Sequence, residues 1–217
     1  MARPVFRLGV LAAVILAAVA GGAEAAAPSN VLVIGLSGDV DNLDPAVTMT
    51  NRSWAVTYPA YQRLVRYVVE DGVGTTEVEG DLATGWTVSP DGLVWTFELR
   101  QDARFADGTP VNAEAVAFSF RRLLAVGQGP ADAFPTLERA EAAGPWTVRF
   151  TLSDPFAPFL FTLANNGAGI VNPAVMAHEE DGDWGQGYLA EHTLGSGPYQ
   201  VELWQKDQQI RLIPNPH

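Results

Sequence analysis

The chain has 217 residues, with 13 Lys and Arg against 25 Asp and Glu, three His and no Cys. That length allows one domain or two small ones, and a composition 47% hydrophobic and 18% charged can fill a core, which excludes wholesale disorder. A formal charge of −12 opposes binding to nucleic-acid phosphates, and the absence of Cys excludes disulfides, thiolate metal sites, iron–sulfur clusters, thiol nucleophiles and a Cys-borne lipid anchor.

Residues 1–7 carry Arg3 and Arg7, residues 8–20 are apolar, and Ala23-Glu24-Ala25 follows. Basic, apolar and small-residue regions in that order predict a signal peptide over residues 1–25 and export to the periplasm without lipidation. The apolar run is shorter than the roughly 20 residues that a bilayer crossing needs. Residues 31–37 (VLVIGLS) are β-branched and aliphatic and run into Gly38, which predicts a buried strand. An acidic loop with Asp39, Asp41 and Asp44 then closes at Pro45. Over residues 52–67, Trp54, Tyr58, Tyr61, Leu64 and Val65 recur at spacings of three and four. That period predicts an amphipathic helix, with Pro59 marking a break or a first turn.

Residues 85–88 and 93–100 alternate with period two around Ser89-Pro90-Asp91-Gly92, which predicts a hairpin with Trp95 and Phe97 on one face. Asp107-Gly108-Thr109-Pro110 reads as a turn. Asn112 stands as N-cap to a helix reaching about Ala125, with Val116, Phe120, Leu123 and Leu124 on its apolar face. Residues 146–152 read as a strand, 155–164 as a short aromatic helix and 169–171 as a short buried strand. Residues 199–204 and 209–213 form a second hairpin across Lys206-Asp207. Helices and strands mix without strict alternation, so the class is α/β or α+β with a mixed sheet.

Catalytic patterns are missing. Ser196 lies in Gly195-Ser196-Gly197, but Leu194 precedes it, so the nucleophile-elbow pattern fails. His178, His192 and His217 lack zinc-helix spacing, and the single Lys206 leaves no P-loop. Asp39, Asp41 and Asp44 lack the glycine and distal glutamate of a calcium loop and read as a solvated acidic loop. No catalytic residue, cofactor or metal is called for.

Two stretches carry more specific information. Residues 85–114, from Gly85-Trp86 through Trp95, Phe97, Asp102, Phe105 and Asp107-Gly108-Thr109-Pro110 to Ala113-Glu114, resemble the signature segment of the family 5 extracellular solute-binding proteins. These are the dipeptide, oligopeptide and nickel receptors of ABC importers. Residues 36–45 (LSGDVDNLDP) resemble that family's first strand and loop. Residues 61–67, 155–160, 195–199 and 215–216 match in family order.

The resemblance implies an α/β, periplasmic-binding-protein-like type II architecture with mixed β-sheets, cut off before the third lobe because the sequence stops at His217. It implies a monomer that captures a peptide in a cleft and hands it to a membrane permease by hinged closure, with no bond made or broken. A truncated copy would bind poorly. On the same resemblance, residues 26–52 and 166–217 form a discontinuous lobe I, and residues 53–165 an inserted smaller lobe II. Asp39, Asp41, Asn42 and Leu43 in the first loop, with Tyr61, Asn165, Asn166 and Gly167, are the implied ligand contacts. Nickel complexes or another small solute are alternative ligands. A secreted hydrolase using paired carboxylates, or a non-catalytic envelope module, are the alternatives of another class.

Overall fold

The structure, a computed structural model, describes residues 30–217. They fall into two units, one ending at Gly35 and one spanning Leu36–His217. The expected signal peptide lies outside the described residues. Residues 31–35 carry no regular secondary structure and their side chains are exposed, Leu32 by 83%. The strand expected over residues 31–37 is therefore not formed. A strand exists through its ladder partners, and none of the ladders among the described residues includes these residues.

In the larger unit, Thr50 caps helix α1 (Asn51–Ala60), its side chain accepting from the Ser53 amide. The helix expected to run to Tyr67 stops seven residues short of it. Tyr61 already has extended backbone angles, φ −123° and ψ 123°, and the chain enters strand β1 (Val65–Glu70). β1 pairs with β2 (Val73–Gly80) in an antiparallel ribbon. Asp71 and Gly72, both at positive φ, turn between them as a right-twisted hairpin requires.

Strands β3 (Ala83–Val88) and β4 (Val94–Leu99) form the expected hairpin, with Trp86 opposite Phe97 and Val88 opposite Trp95. Gly92, at φ 74°, closes its turn. With β5 (Leu137–Gly144) and β6 (Thr147–Leu152) they make a four-stranded sheet of order β3-β4-β6-β5. Every ladder among the described residues is antiparallel. Helix α2 (Ala113–Val126) begins at Asn112, whose side chain accepts from the Ala115 amide, and ends at a left-handed Gly127. It lies against β5 and β6. Phe120 meets Phe150 edge to face at 4.8 Å and Phe134 at 5.5 Å, an arrangement that favours the ring quadrupoles.

Beyond the sheet, the expected aromatic helix is one turn, α3 (Phe159–Thr162). Residues 169–171 are buried without forming the expected strand. Their amides bond individually instead, Ile170 to the Gln62 carbonyl at 2.9 Å and Val171 to Ser119 Oγ at 2.9 Å. A short helix α4 (Gln186–Leu189) and the hairpin of β7 (Tyr199–Gln205) and β8 (Gln209–Pro214) complete the unit. Val201, Trp204, Ile210 and Leu212 of that hairpin pack on Val40, Leu43 and Val56.

Candidate ligand-binding cleft

The site begins with a tight turn. The Asp44 carbonyl accepts from the amides of Val47 and Thr48 at 3.1 and 3.0 Å. Its buried carboxylate takes two hydrogen bonds from Arg122, at 2.8 and 2.5 Å. The turn delivers Thr48 and Met49 to one wall of a cleft of about 430 Å³. Trp54, from the first turns of α1, joins them, its indole N–H donating to the Thr48 carbonyl at 3.2 Å.

A second wall is the 3-10 turn Gly129–Ala133 with Phe134, and a third is Asn165, Asn166 and Gly167. The walls meet closely because glycines leave room. A Cβ on Gly167 would lie 2.7 Å from Pro130 Cβ, and one on Gly129 would lie 3.0 Å from Met49 Cγ.

The volume suits a small solute, and Met49, Trp54, Pro130 and Phe134 give the cleft an apolar surface. Two of the lining residues, Thr48 and Asn166, have a side-chain oxygen closed off from solvent and without a hydrogen-bond partner. Asp132 adds a carboxylate at the edge. Buried polar atoms are nearly always paired, so these two oxygens are left unsatisfied in the folded chain.

Of the residues named from sequence, Asn165, Asn166 and Gly167 come together here. The first loop does not line the cleft. Asp39 accepts from the Asp207 amide at 2.8 Å and from the Trp204 indole at 3.0 Å. The Asp207 bond, more than the Trp204 one, holds its pKa below the usual carboxylate range against opposing desolvation. Burial raises the Asp41 pKa, but the Ser53 and Thr50 hydroxyls bonded to it outweigh that and the net shift is downward. Asn42 Oδ1 accepts from the Asp44 amide at 2.7 Å.

Leu43 and Tyr61 are interior. Leu43 packs under the β7–β8 hairpin, and Tyr61 sits with Val171, Val175 and Leu189. Burial pushes the Tyr61 phenol far up, and its oxygen accepts from the Leu194 amide at 3.4 Å. Thr48, Met49, Trp54, Asp132 and Phe134 were not singled out for the site from sequence. The spacing of Trp54 signals only a helix face, and the other four carry no local motif.

Gly195-Ser196-Gly197 serves packing. Cβ atoms on the two glycines would lie 2.0 Å from the Ala60 carbonyl oxygen and 2.2 Å from that of Pro59. His178 and His192 stack on Tyr188, at 3.7 and 4.3 Å between ring centres. Among the described residues no group of three His, Asp or Glu is placed to hold a metal ion.

Comparison with known proteins agrees with this architecture. Residues 77–217 match the family described as "Bacterial extracellular solute-binding proteins, family 5 Middle". The "Probable D,D-dipeptide-binding periplasmic protein DdpA" of Escherichia coli (strain K12) is 57% identical over 195 residues, covering 90% of this chain and 38% of that protein. The glutathione-binding protein GsiB of Escherichia coli O6:K15:H31 is 31% identical, covering 98% of this chain and 39% of its own length. The structure of the ABC transporter-associated periplasmic binding protein DppA from Helicobacter pylori, in complex with the peptide STSA, superposes with a TM-score of 0.70. It is 32% identical and the match covers 82% of this chain and 38% of that one. The chain thus spans about two fifths of the length of the curated relatives it matches. With a family match over well over half its residues, the chain belongs to the bacterial extracellular solute-binding proteins of family 5.

Proposed function

We propose that this chain supplies one side of the solute cleft in a periplasmic substrate-binding component of an ABC importer, and that the solute is a peptide. The observation that carries this reading is the cleft itself, an apolar surface of Met49, Trp54, Pro130 and Phe134 with Thr48, Asp132, Asn165 and Asn166 as its polar lining. Peptides present N–H donors at short, regular intervals, and Asp132 stands where it can face an ammonium group. The 57% identity to a protein named for D,D-dipeptides makes a D,D-dipeptide the first solute to test.

Asn165, Asn166 and Gly167 then contact solute, while Asp39, Asp41, Asn42, Leu43 and Tyr61 hold the loop and wall behind them. No bond is made or broken. The component works by capture and by delivery to a membrane permease. The division into a discontinuous lobe of residues 26–52 and 166–217 around an inserted lobe of residues 53–165 is part of the proposal. It is supported by the sheets, since the four strands of the β3-β4-β6-β5 sheet all fall within residues 53–165 and the β7–β8 hairpin falls within residues 166–217.

Titration with D-alanyl-D-alanine, followed by amide NMR, tests the reading. Saturable shifts of the Asn165 and Asn166 side-chain amides and of the Trp54 indole are expected, with an N-acetylated dipeptide shifting them less. Peptides that leave all three unmoved, or that bind at residues away from the cleft, would refute it.

A further inference from the structure

Of the eight asparagines in the chain, Asn166 alone precedes a glycine. An asparagine carboxamide is open to attack by the backbone nitrogen of the next residue, and glycine has no Cβ to shield that nitrogen or restrict its rotation. Asn172 and Asn215 precede prolines, which have no N–H to give up. Asn42 and Asn112 are held by their own side chains, whose oxygens accept from the Asp44 and Ala115 amides at 2.7 and 3.0 Å.

Asn166 has neither restraint. Its Oδ1 is closed off from solvent without a partner, while its Nδ2, unbonded among the described residues, is not one of the atoms so enclosed. The Gly167 amide likewise has no hydrogen-bond partner among the described residues. Both residues lie in a single 3-10 turn, Asn166–Ala168. It is closed by the Ala168 amide on the Asn165 carbonyl and the Gly169 amide on the Asn166 carbonyl, each at 3.1 Å. Ring closure requires the Asn166 backbone to rotate out of that turn, and a turn held by two bonds beside an open cleft opens more readily than a core helix.

We propose that Asn166 is a self-modification site, deamidated by the Gly167 amide, and that the product makes this wall of the cleft select cationic solutes. The Gly167 nitrogen bonds to Asn166 Cγ and gives up its proton. The Cγ–Nδ2 bond breaks, Nδ2 leaves as ammonia, and a cyclic imide remains. Water then opens the imide at either carbonyl to aspartate or isoaspartate, with no electron gained or lost. In the aspartate product the atom exchanged is Nδ2, the one open to solvent, so an anionic oxygen stands on the accessible side of the residue. Asp132 already lines the cleft, and among the described residues its lining includes no Lys, Arg or His to neutralise a second carboxylate. An ammonium or guanidinium solute gains charge-assisted hydrogen bonds there. The modification is independent of the proposed function, whereas the change of preference rests on it.

Peptide mapping by mass spectrometry of the full chain, incubated at mildly alkaline pH, tests the chemistry, and the urea-unfolded chain sets the unrestrained rate. Residue 166 is expected to gain the mass of an amide-to-acid exchange about tenfold faster than any other asparagine. Another asparagine converting first, or a folded chain still mostly amidated at 166 after about ten half-lives of the unfolded one, overturns the site. D-alanyl-D-alanine amide, which carries an ammonium and no carboxylate, tests the preference by NMR on the parent and on Asn166→Asp. The midpoint of the variant should be about tenfold lower, and added salt should narrow the gap. Equal midpoints overturn the change of preference. A dipeptide amide that moves no cleft resonance in either protein refutes the peptide reading instead and leaves the mass result standing.

Discussion

Asp44 and Arg122 meet in the interior across 78 residues of sequence, joined by two hydrogen bonds of 2.8 and 2.5 Å. One lies in the first loop and the other on α2, so the pair fixes the turn that presents Thr48 to the cleft against the helix that backs the sheet. Asp44 also accepts from the Ala46 amide at 2.9 Å, and Arg122 from its Nε reaches the Trp184 carbonyl. The charges are buried, but each nitrogen of the guanidinium and each oxygen of the carboxylate has a hydrogen-bond partner.

Breaking that pair on one side leaves a buried charge alone. Asp44→Asn or Arg122→Met should each destabilise the fold by about 3–5 kcal/mol, whereas replacing both with apolar residues of similar volume should recover much of the loss. Urea denaturation of the two single variants and the double variant measures it. A double variant no better than the worse single one contradicts the account.

The Gly195-Ser196-Gly197 segment offers a second check. A methyl group on either glycine collides with backbone oxygen, at 2.0 and 2.2 Å, and backbone cannot move aside as a flexible side chain can. Gly195→Ala and Gly197→Ala should each lose about 1–3 kcal/mol or more. Gly85→Ala, where an added Cβ meets nothing within 4 Å, should stay within about 0.5 kcal/mol of the parent. Thermal unfolding compares the three.

Legibility in the sequence follows the range of the signal. The β3–β4 and β7–β8 hairpins and α2 are specified within a few residues by turn glycine, alternation and an N-cap asparagine, and they form where expected. Leu64 and Val65 continue the helical spacing of Trp54 and Tyr61, which hides the start of β1, although Asp71-Gly72 is itself a hairpin signal. β5 (LERAEAAG) is built of helix formers and is a strand because β6 offers it a ladder, a case of tertiary pairing overriding propensity. The cleft draws on residues 48–54, 129–134 and 165–167. Asn165, Asn166 and Gly167 were reachable through family resemblance, but nothing local marks Thr48 or Asp132, since their neighbours come from distant sequence.

Acid sensitivity follows from carboxylates held below their ordinary pKa. Burial raises the Asp107 pKa, yet hydrogen bonds from Thr109 and Asn172 outweigh it and leave the shift downward. Asp102, bonded to Arg100, is lowered to about 2. A carboxylate whose folded pKa lies below its unfolded one stabilises the fold at pH above the unfolded value. That contribution is lost as pH falls through the folded one. Stability should therefore hold steady from pH 7 to about 5 and decline below about pH 4. Asp107→Asn should make the decline shallower, as denaturant midpoints measured across that range would show. A chain that instead loses stability between pH 5 and 7 is governed by other groups.

Thr48 separates a binding role from a structural one. Its hydroxyl oxygen is buried in the cleft wall with no partner, so the folded protein already bears the cost of desolvating it. Valine has nearly the same shape and no such cost. Removing an unsatisfied buried hydroxyl is neutral or stabilising by up to about 1–2 kcal/mol. If that oxygen serves a solute N–H, Thr48→Val should keep or raise the unfolding midpoint while weakening peptide binding about tenfold, the value of one hydrogen bond formed in a dry site. Asn166→Leu should show the same split. Calorimetric unfolding and the NMR peptide titration, run on the same samples, read the two effects separately. Variants that lose stability and affinity together would place these oxygens in the fold's own hydrogen bonding, and variants that change neither would remove them from the solute site.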